Sequence, residues 1–285
     1  MAIDYHRALA LDIPSVEHHY TERDTMLYAL GLGLGEDPMD VGALRYVYEK
    51  ELKAFPTMPV ALAFISLRAI PLGIDYTKMV HGGQSLTLHA PWPVAGTIVG
   101  KTRVTEIVDR GPGKGALIYL EREMREKASG TLLATAGMSA FCRADGGFGG
   151  PVSEGPKPHP TPERPADLSV DVTTLPQQAL IYRLSGDLNP LHADPEVARK
   201  AGFERPILHG LATYGVVARA IVAGVLGHDG DRLRSLTGRF SAPVFPGETL
   251  RVELWCEGEE RVSVRATALQ RGTVVFTNGQ ATLRI

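Results

Sequence analysis

The stretch YRLSGDLNPLHADP, residues 182 to 195, sets a carboxylate (Asp187), an amide (Asn189) and an imidazole (His192) within six positions, in a frame of Gly186, Pro190 and Pro195. The prolines bar a regular helix or central strand and the glycine permits positive φ, so the backbone here is a fixed, irregular loop. Such a loop can aim three polar side chains at one point. A few residues on, RPILHGLATYG (205 to 215) places Gly210 at the start of an apolar, small-residue helix. The free N–H groups and positive dipole end of a helix start suit a developing negative oxygen.

An acid and an imidazole sharing one water, beside an oxyanion donor, are the parts needed to add water across a double bond conjugated to a carbonyl. Attack at C3 drives charge onto the carbonyl oxygen, and the resulting enolate takes a proton at C2. Each positioned acid or base contributes roughly 100- to 10,000-fold. A plainer reading has Asp187 and Asn189 closing Asx turns and capping Pro195 to Ala201, His192 packed or exposed, and Gly210 relieving a close contact.

These residues need a scaffold, and the chain describes one twice. Alternating, β-branched runs at Thr97 to Val108, Ala116 to Arg125 and Thr131 to Cys142 are matched by Leu250 to Cys256, Arg261 to Leu269 and Thr273 to Leu283, which predicts antiparallel strands in each half. A similar Pro-rich turn opens each set, HAPWPVAGTI at 89 to 98 and FSAPVFPGETL at 240 to 250. Upstream stand two apolar helical candidates, Val60 to Ile70 and Leu211 to Leu226. The second carries Ala212, Gly215, Ala218, Ala220, Ala223 and Gly224 around its surface, so that a sheet can approach it closely. The expected class is α+β: one helix wrapped by one antiparallel sheet, duplicated. Residues 146 to 165, GGFGGPVSEGPKPHPTPERP, read as an extended connection unable to pack. The expected domains are 1–150 and 166–285, joined by a linker at 151–165.

YRLSGDLNPLHADP followed by GFERPILHGLATYG resembles the signature of the MaoC-like, (R)-specific enoyl-CoA hydratases, or 2-enoyl-CoA hydratase 2. The likeness extends through YALGLGLG (28 to 35), FPTMP (55 to 59), MVHGGQSLTLHAPWP (79 to 93) and RFSAPVFPGETL (239 to 250), which are similar to the two-domain hydratase of peroxisomal multifunctional enzyme type 2 and its stand-alone bacterial relatives. The resemblance implies a double hot-dog fold and reversible conversion of a trans-2-enoyl-CoA into a (3R)-3-hydroxyacyl-CoA, on medium, long or bulky acyl groups, without a cofactor or metal and as a homodimer. It implies that Asp187, Asn189 and His192 hold and activate the water, with Asp187 and His192 as the acid/base pair in either assignment, and that the Gly210 N–H receives the thioester oxygen.

The first half lacks this motif and is expected to be catalytically silent, making room for the acyl chain. His81, Gly82 and Arg110 of that half, with Leu188, Pro190, Leu191 and Phe240 of the second, match positions that contact acyl-CoA in the family. Their plainer readings are turn residues, a surface charge and a core aromatic. Rival functions are a (3R)-hydroxyacyl-thioester dehydratase, a hot-dog thioesterase and a non-catalytic acyl-CoA binding module.

The composition agrees with a globular enzyme. Of 285 residues 44% are hydrophobic, enough for a core, and a net charge of −2 with no run of as many as about five like charges offers nothing to nucleic acid or an anionic membrane. The apolar stretches Met58 to Ile74 and Val216 to Gly227 are interrupted by Arg or Pro, short of the roughly 18 residues of a membrane span. Cys142 and Cys256 have no partner pattern, so both are expected as reduced thiols, and the start lacks a basic, apolar leader, which predicts a cytosolic protein. GLGLG at 31 to 35 follows no strand and reads as a helix end rather than a dinucleotide loop. Neither His18 with His19 nor His192 with His209 has a third ligand at metal-like spacing.

Overall fold

A computed structural model of the chain describes residues 3–151 and 155–285. Its strands are β1 (Val16–Tyr20), β2 (Met79–Leu88), β3 (Gly96–Asp109), β4 (Ala116–Glu126), β5 (Leu132–Cys142), β6 (Leu168–Thr173), β7 (Leu233–Phe240), β8 (Thr249–Cys256), β9 (Arg261–Ala268) and β10 (Thr273–Leu283). All pair antiparallel in one sheet ordered β1-β3-β4-β5-β2-β7-β10-β9-β8-β6. This order mirrors itself about the β2–β7 seam, where Gly83 faces Arg239 and Thr87 faces Ser235. The duplication expected from the two Pro-rich turns is therefore a pseudo-twofold in one continuous sheet.

The helices are α1 (Tyr5–Leu9), α2 (Glu22–Gly31), α3 (Val41–Leu44), α4 (Gln178–Tyr182), α5 (Pro195–Lys200) and α6 (Gly210–Gly224). Among the described residues only α6 is long, and it packs against β2, β6, β7 and β8. It is buried on nearly every side, from Ala212 through Val222 with Arg219 as the exception, which explains why its sequence is apolar almost all round rather than striped. Its small residues permit this closeness. A Cβ added at Gly215 would stand 2.4 Å from Leu32, just past the end of α2.

The helix expected over Val60 to Ile70 does not form. Two 3₁₀ turns, Met58–Ala61 and Leu67–Ala69, replace it, with Leu62 extended and Ala63 at a φ of 48° between them. The physical reason is competition for acceptors. Arg122 of β4, nearly buried, donates to the carbonyls of Pro59 (3.3 Å) and Val60 (2.9 Å), which a helix would have used within itself. One central helix thus serves a duplicated sheet. A single apolar core joins Leu86, Ile98 and Met124 of the first half to Val217, Leu236 and Val264 of the second, and a smaller cluster around Ile70, Ile107 and Ile118 belongs to the first half alone.

The expected linker lies between β5 and β6, and residues 152–154 of it fall outside the described residues. Its described remainder does pack, against expectation. Arg239 donates to the Pro156 carbonyl, Asn278 to that of His159 and the Trp255 indole to that of Arg164. Proline removes donors but leaves acceptors, and the second half supplies the donors. GLGLG is a helix end as expected, with Gly33 and Gly35 at positive φ after α2.

Candidate active site

The polar loop runs from α4 through a 3₁₀ turn (Arg183–Ser185) to Gly186, whose φ of 125° suits glycine alone, and on to a second 3₁₀ turn, Pro190–His192. Two Asx bonds shape it: the Asn189 N–H donates to Asp187 Oδ1 and the Leu191 N–H to Asn189 Oδ1, each at 3.1 Å. The plainer reading of both residues as turn formers is thus partly correct. The capping part is not, because Asp194 caps α5 by accepting from Glu196 and Val197.

Asp187 is half-buried and His192 only 8% exposed. His192 Nδ1 lies 2.8 Å from the Ile207 carbonyl. A carbonyl can only accept, so Nδ1 carries the proton and Nε2 of the neutral ring presents a lone pair. Burial pushes the His192 pKa down, against the opposing pull of that carbonyl and of Asp187, so the ring stays neutral and able to act as a base.

A residue that spacing had not singled out joins them. His209, 1% exposed, is the N-cap residue of α6, and its ring stacks on His192 at 3.7 Å and 28°. Its Nε2 is 3.1 Å from the backbone carbonyl of Asp187. Burial, reinforced by His192, pushes its pKa down to about 3. The available signal was its place immediately before the glycine that opens a buried helix.

Asp187, His192 and His209 bring one ligand-type atom each within 4.8 Å of one another, so the fold supplies the third group that spacing did not. The two rings are stacked at 28°, and one nitrogen of each is bound to a carbonyl, which leaves each ring a single nitrogen for other chemistry.

Gly210 is the first residue of α6, within the turn whose N–H groups have no acceptor inside the helix. Its glycine is not demanded by packing, since an added Cβ would meet the Phe240 ring at an ordinary 3.5 Å. Phe240 also packs edge-on against His81 at 4.9 Å. His81 belongs to β2 and bonds the Gly83 carbonyl. Burial pushes its pKa down to about 4, and Asp187 is among the groups opposing that shift. The first half thereby contributes one wall of the site.

Gly82, next in β2, is the extra residue of a bulge opposite β5. With Arg110, Tyr119, Lys157 and Arg239 it borders a cleft of about 280 Å³, so the predicted Arg110 sits in a basic setting that two further cations share. Leu188 (60% exposed) and Pro190 lie on the exposed rim of the loop with Asn189, and Leu191 is half-buried. The structure therefore gathers Asp187, His192, Gly210, His81 and Phe240 together, and places Gly82 and Arg110 at the cleft.

Residues 157–278 match the profile of the MaoC like domain, and residues 18–144 that of the MFE-2 hydratase 2 N-terminal domain. Over 284 residues the chain is 40% identical to the enoyl-CoA hydratase ChsH3 of Mycobacterium tuberculosis, covering 97% of this chain and 98% of that one. It is 41% identical over 261 residues to 3-hydroxyacyl-thioester dehydratase Y of the same organism, covering 90% and 88%. The solved MaoC-like dehydratase of Phytophthora capsici superposes with a TM-score of 0.88 at 34% identity, over 98% of both chains. A Mycobacterium tuberculosis protein described as a double hotdog fold, 15% identical with a TM-score of 0.56 over 95% and 93% of the chains, shares the fold.

Proposed function

Because the chain belongs to the MaoC-like hydratase 2 family of two-domain hydro-lyases, we propose that it adds water reversibly to a trans-2-enoyl-CoA to form the (3R)-3-hydroxyacyl-CoA at the Asp187–His192 site. The observation that carries this reading is the neutral His192, held as the Nδ1–H tautomer by the Ile207 carbonyl, with one ligand-type atom each of Asp187, His192 and His209 within 4.8 Å of one another and His209 standing immediately before Gly210, the first residue of α6. The Gly210 N–H receives the thioester oxygen and polarises the double bond. Water, held by the turn of Asp187 and Asn189, loses a proton to the acid–base pair as its oxygen bonds C3, and the enolate takes a proton at C2 from the same pair. Run in reverse, the site is a dehydratase, which accounts for relatives named for either direction.

His81, Phe240, the rim residues Leu188 and Pro190 and the half-buried Leu191 guide the acyl chain, and Gly82 and Arg110 meet the polar end of the thiol ester. Replacement of a central helix by two short turns in the first half supports a long or bulky acyl group. We place the enzyme in the cytosol as a homodimer that needs no cofactor. Two unpaired cysteines fit a reducing compartment, and among the described residues no helix is long and apolar enough to cross a membrane. Static light scattering of the purified chain tests the dimer.

The function is tested by following loss of enoyl-thioester absorbance with crotonyl-CoA and then a decenoyl-CoA, with the C3 configuration of the product determined. The expected result is faster turnover of the longer chain and an R alcohol. An S product, or release of free thiol in place of hydration, would overturn the reading.

A further inference from the structure

We propose that His209 is a positioning residue that locks the acid–base loop to the oxyanion end of α6, an inference that rests on the hydratase reading of this site. Two side chains are exchanged between two segments. His192, on the loop, donates Nδ1–H to the Ile207 carbonyl at 2.8 Å, and His209 returns Nε2–H to the Asp187 carbonyl at 3.1 Å. Between these bonds the rings lie stacked, 3.7 Å apart. Both acceptors are carbonyls, so the rings hold opposite tautomers, and neither can turn over without losing its bond.

The geometry assigns the lock a task because of where its ends sit. His209 immediately precedes Gly210, and its partner carbonyl belongs to the residue that bears the carboxylate. Tyr182 packs against the His209 ring at 5.0 Å, so the ring is held between Tyr182 and His192. His209 does not cap its own helix. Its Nδ1 is buried without a hydrogen-bond partner among the described residues, and such a nitrogen weakens a site that needs only to be filled. An apolar ring of the same size would fill the space without that cost, so what histidine adds here is its donor. Hydration needs water, acid–base pair and oxyanion donor in one arrangement, and a misplacement of about 1 Å costs on the order of 100-fold in rate.

The test compares His209→Phe, which keeps the stack and loses the donor, with His209→Gln, whose amide nitrogen stands where the imidazole Nε2 stood. His209→Leu repeats the loss with another filler should the Phe variant fail to fold. Hydration of a decenoyl-CoA is measured as kcat and KM, and imidazole ¹⁵N shifts report the His192 tautomer without substrate. The expected result is a kcat loss of about 100-fold in His209→Phe with KM little changed, recovery of most of that loss in His209→Gln, and a single Nδ1–H tautomer of His192 that becomes mixed only in the Phe and Leu variants. Unchanged kcat and an unchanged tautomer in the Phe variant would overturn the lock, as would equal impairment of Phe and Gln variants with His192 undisturbed. A wild-type protein that hydrates no enoyl-CoA, yet whose His192 tautomer responds to the Phe variant, would overturn the hydratase reading and leave the lock standing.

Discussion

At the scale of residues, burial decides which groups can do chemistry. His192 is nearly enclosed and its pKa is pushed down by that burial, so its neutral form persists below the ordinary histidine value of 6.5. A base must be deprotonated to act, so kcat/KM is expected to hold as pH falls to 6.5 and to decline only below it; an acidic midpoint at or above 6.5 in the pH–rate profile would contradict this. His192→Ala and Asp187→Ala are each expected to lower kcat by roughly 100- to 10,000-fold, with thermal unfolding near that of the parent protein. Gly210→Ala tests the oxyanion donor cleanly. The added methyl meets only ordinary contact at 3.5 Å from Phe240 and improves helix propensity, so the melting temperature should not fall. Turnover should drop by an amount on the order of the 100-fold that follows loss of one oxyanion donor, because the methyl stands beside the N–H that the thioester oxygen must reach.

At the scale of elements, α6 is the piece on which the site depends. It presents Gly210 and His209 at its start, and it is held in place along its length by small residues that allow α2 and the sheet to come close. A side chain at Gly215 would overlap Leu32, with Cβ at 2.4 Å from one methyl and 2.8 Å from the other. Gly215→Val is therefore expected to destabilise the protein by about 1–3 kcal/mol through overpacking, measured as a lower midpoint of urea unfolding with an unchanged slope. The 58–69 segment of the first half is where a helix was expected and two 3₁₀ turns stand instead. Its carbonyls bind Arg122 instead, and Ala61 lies against Gly186, whose added Cβ would stand 3.5 Å from the Ala61 carbonyl oxygen. The first half thus meets the polar loop through this segment, where two short 3₁₀ turns stand in place of the expected helix.

At the scale of the whole molecule, the continuous sheet and the shared core make the two halves one folding unit. β2 pairs with β7 across the seam, and among the described residues α6 is the one long helix for both. Nature has placed one tryptophan in each half, Trp92 at 5% and Trp255 at 1% exposure. Trp92→Phe and Trp255→Phe variants therefore report unfolding of opposite halves by fluorescence. Their denaturation curves are expected to coincide with each other and with far-UV circular dichroism. An earlier transition at Trp92 would show that the first half, with its separate smaller core, opens on its own.

What the amino-acid sequence determined by itself is whatever local chemistry can specify. Period-two runs marked six of the ten strands because alternate residues must face a core, Gly186 with Pro190 and Pro195 marked an irregular loop, and a mostly apolar, small-residue stretch after His209 marked the buried helix. The resemblance of the polar loop pointed to the reaction. Tertiary structure decided the rest, because each remaining feature depends on groups far apart in the chain. The Val60 to Ile70 stretch has the apolar content of a helix, but Arg122, some sixty residues away, captures its carbonyls. The Gly/Pro connection packs because donors on Arg239, Trp255 and Asn278 find its carbonyls. His209 reads as one more histidine until folding carries it 22 positions back to the carbonyl of Asp187 and lays its ring on His192, where no periodicity or spacing rule could place it.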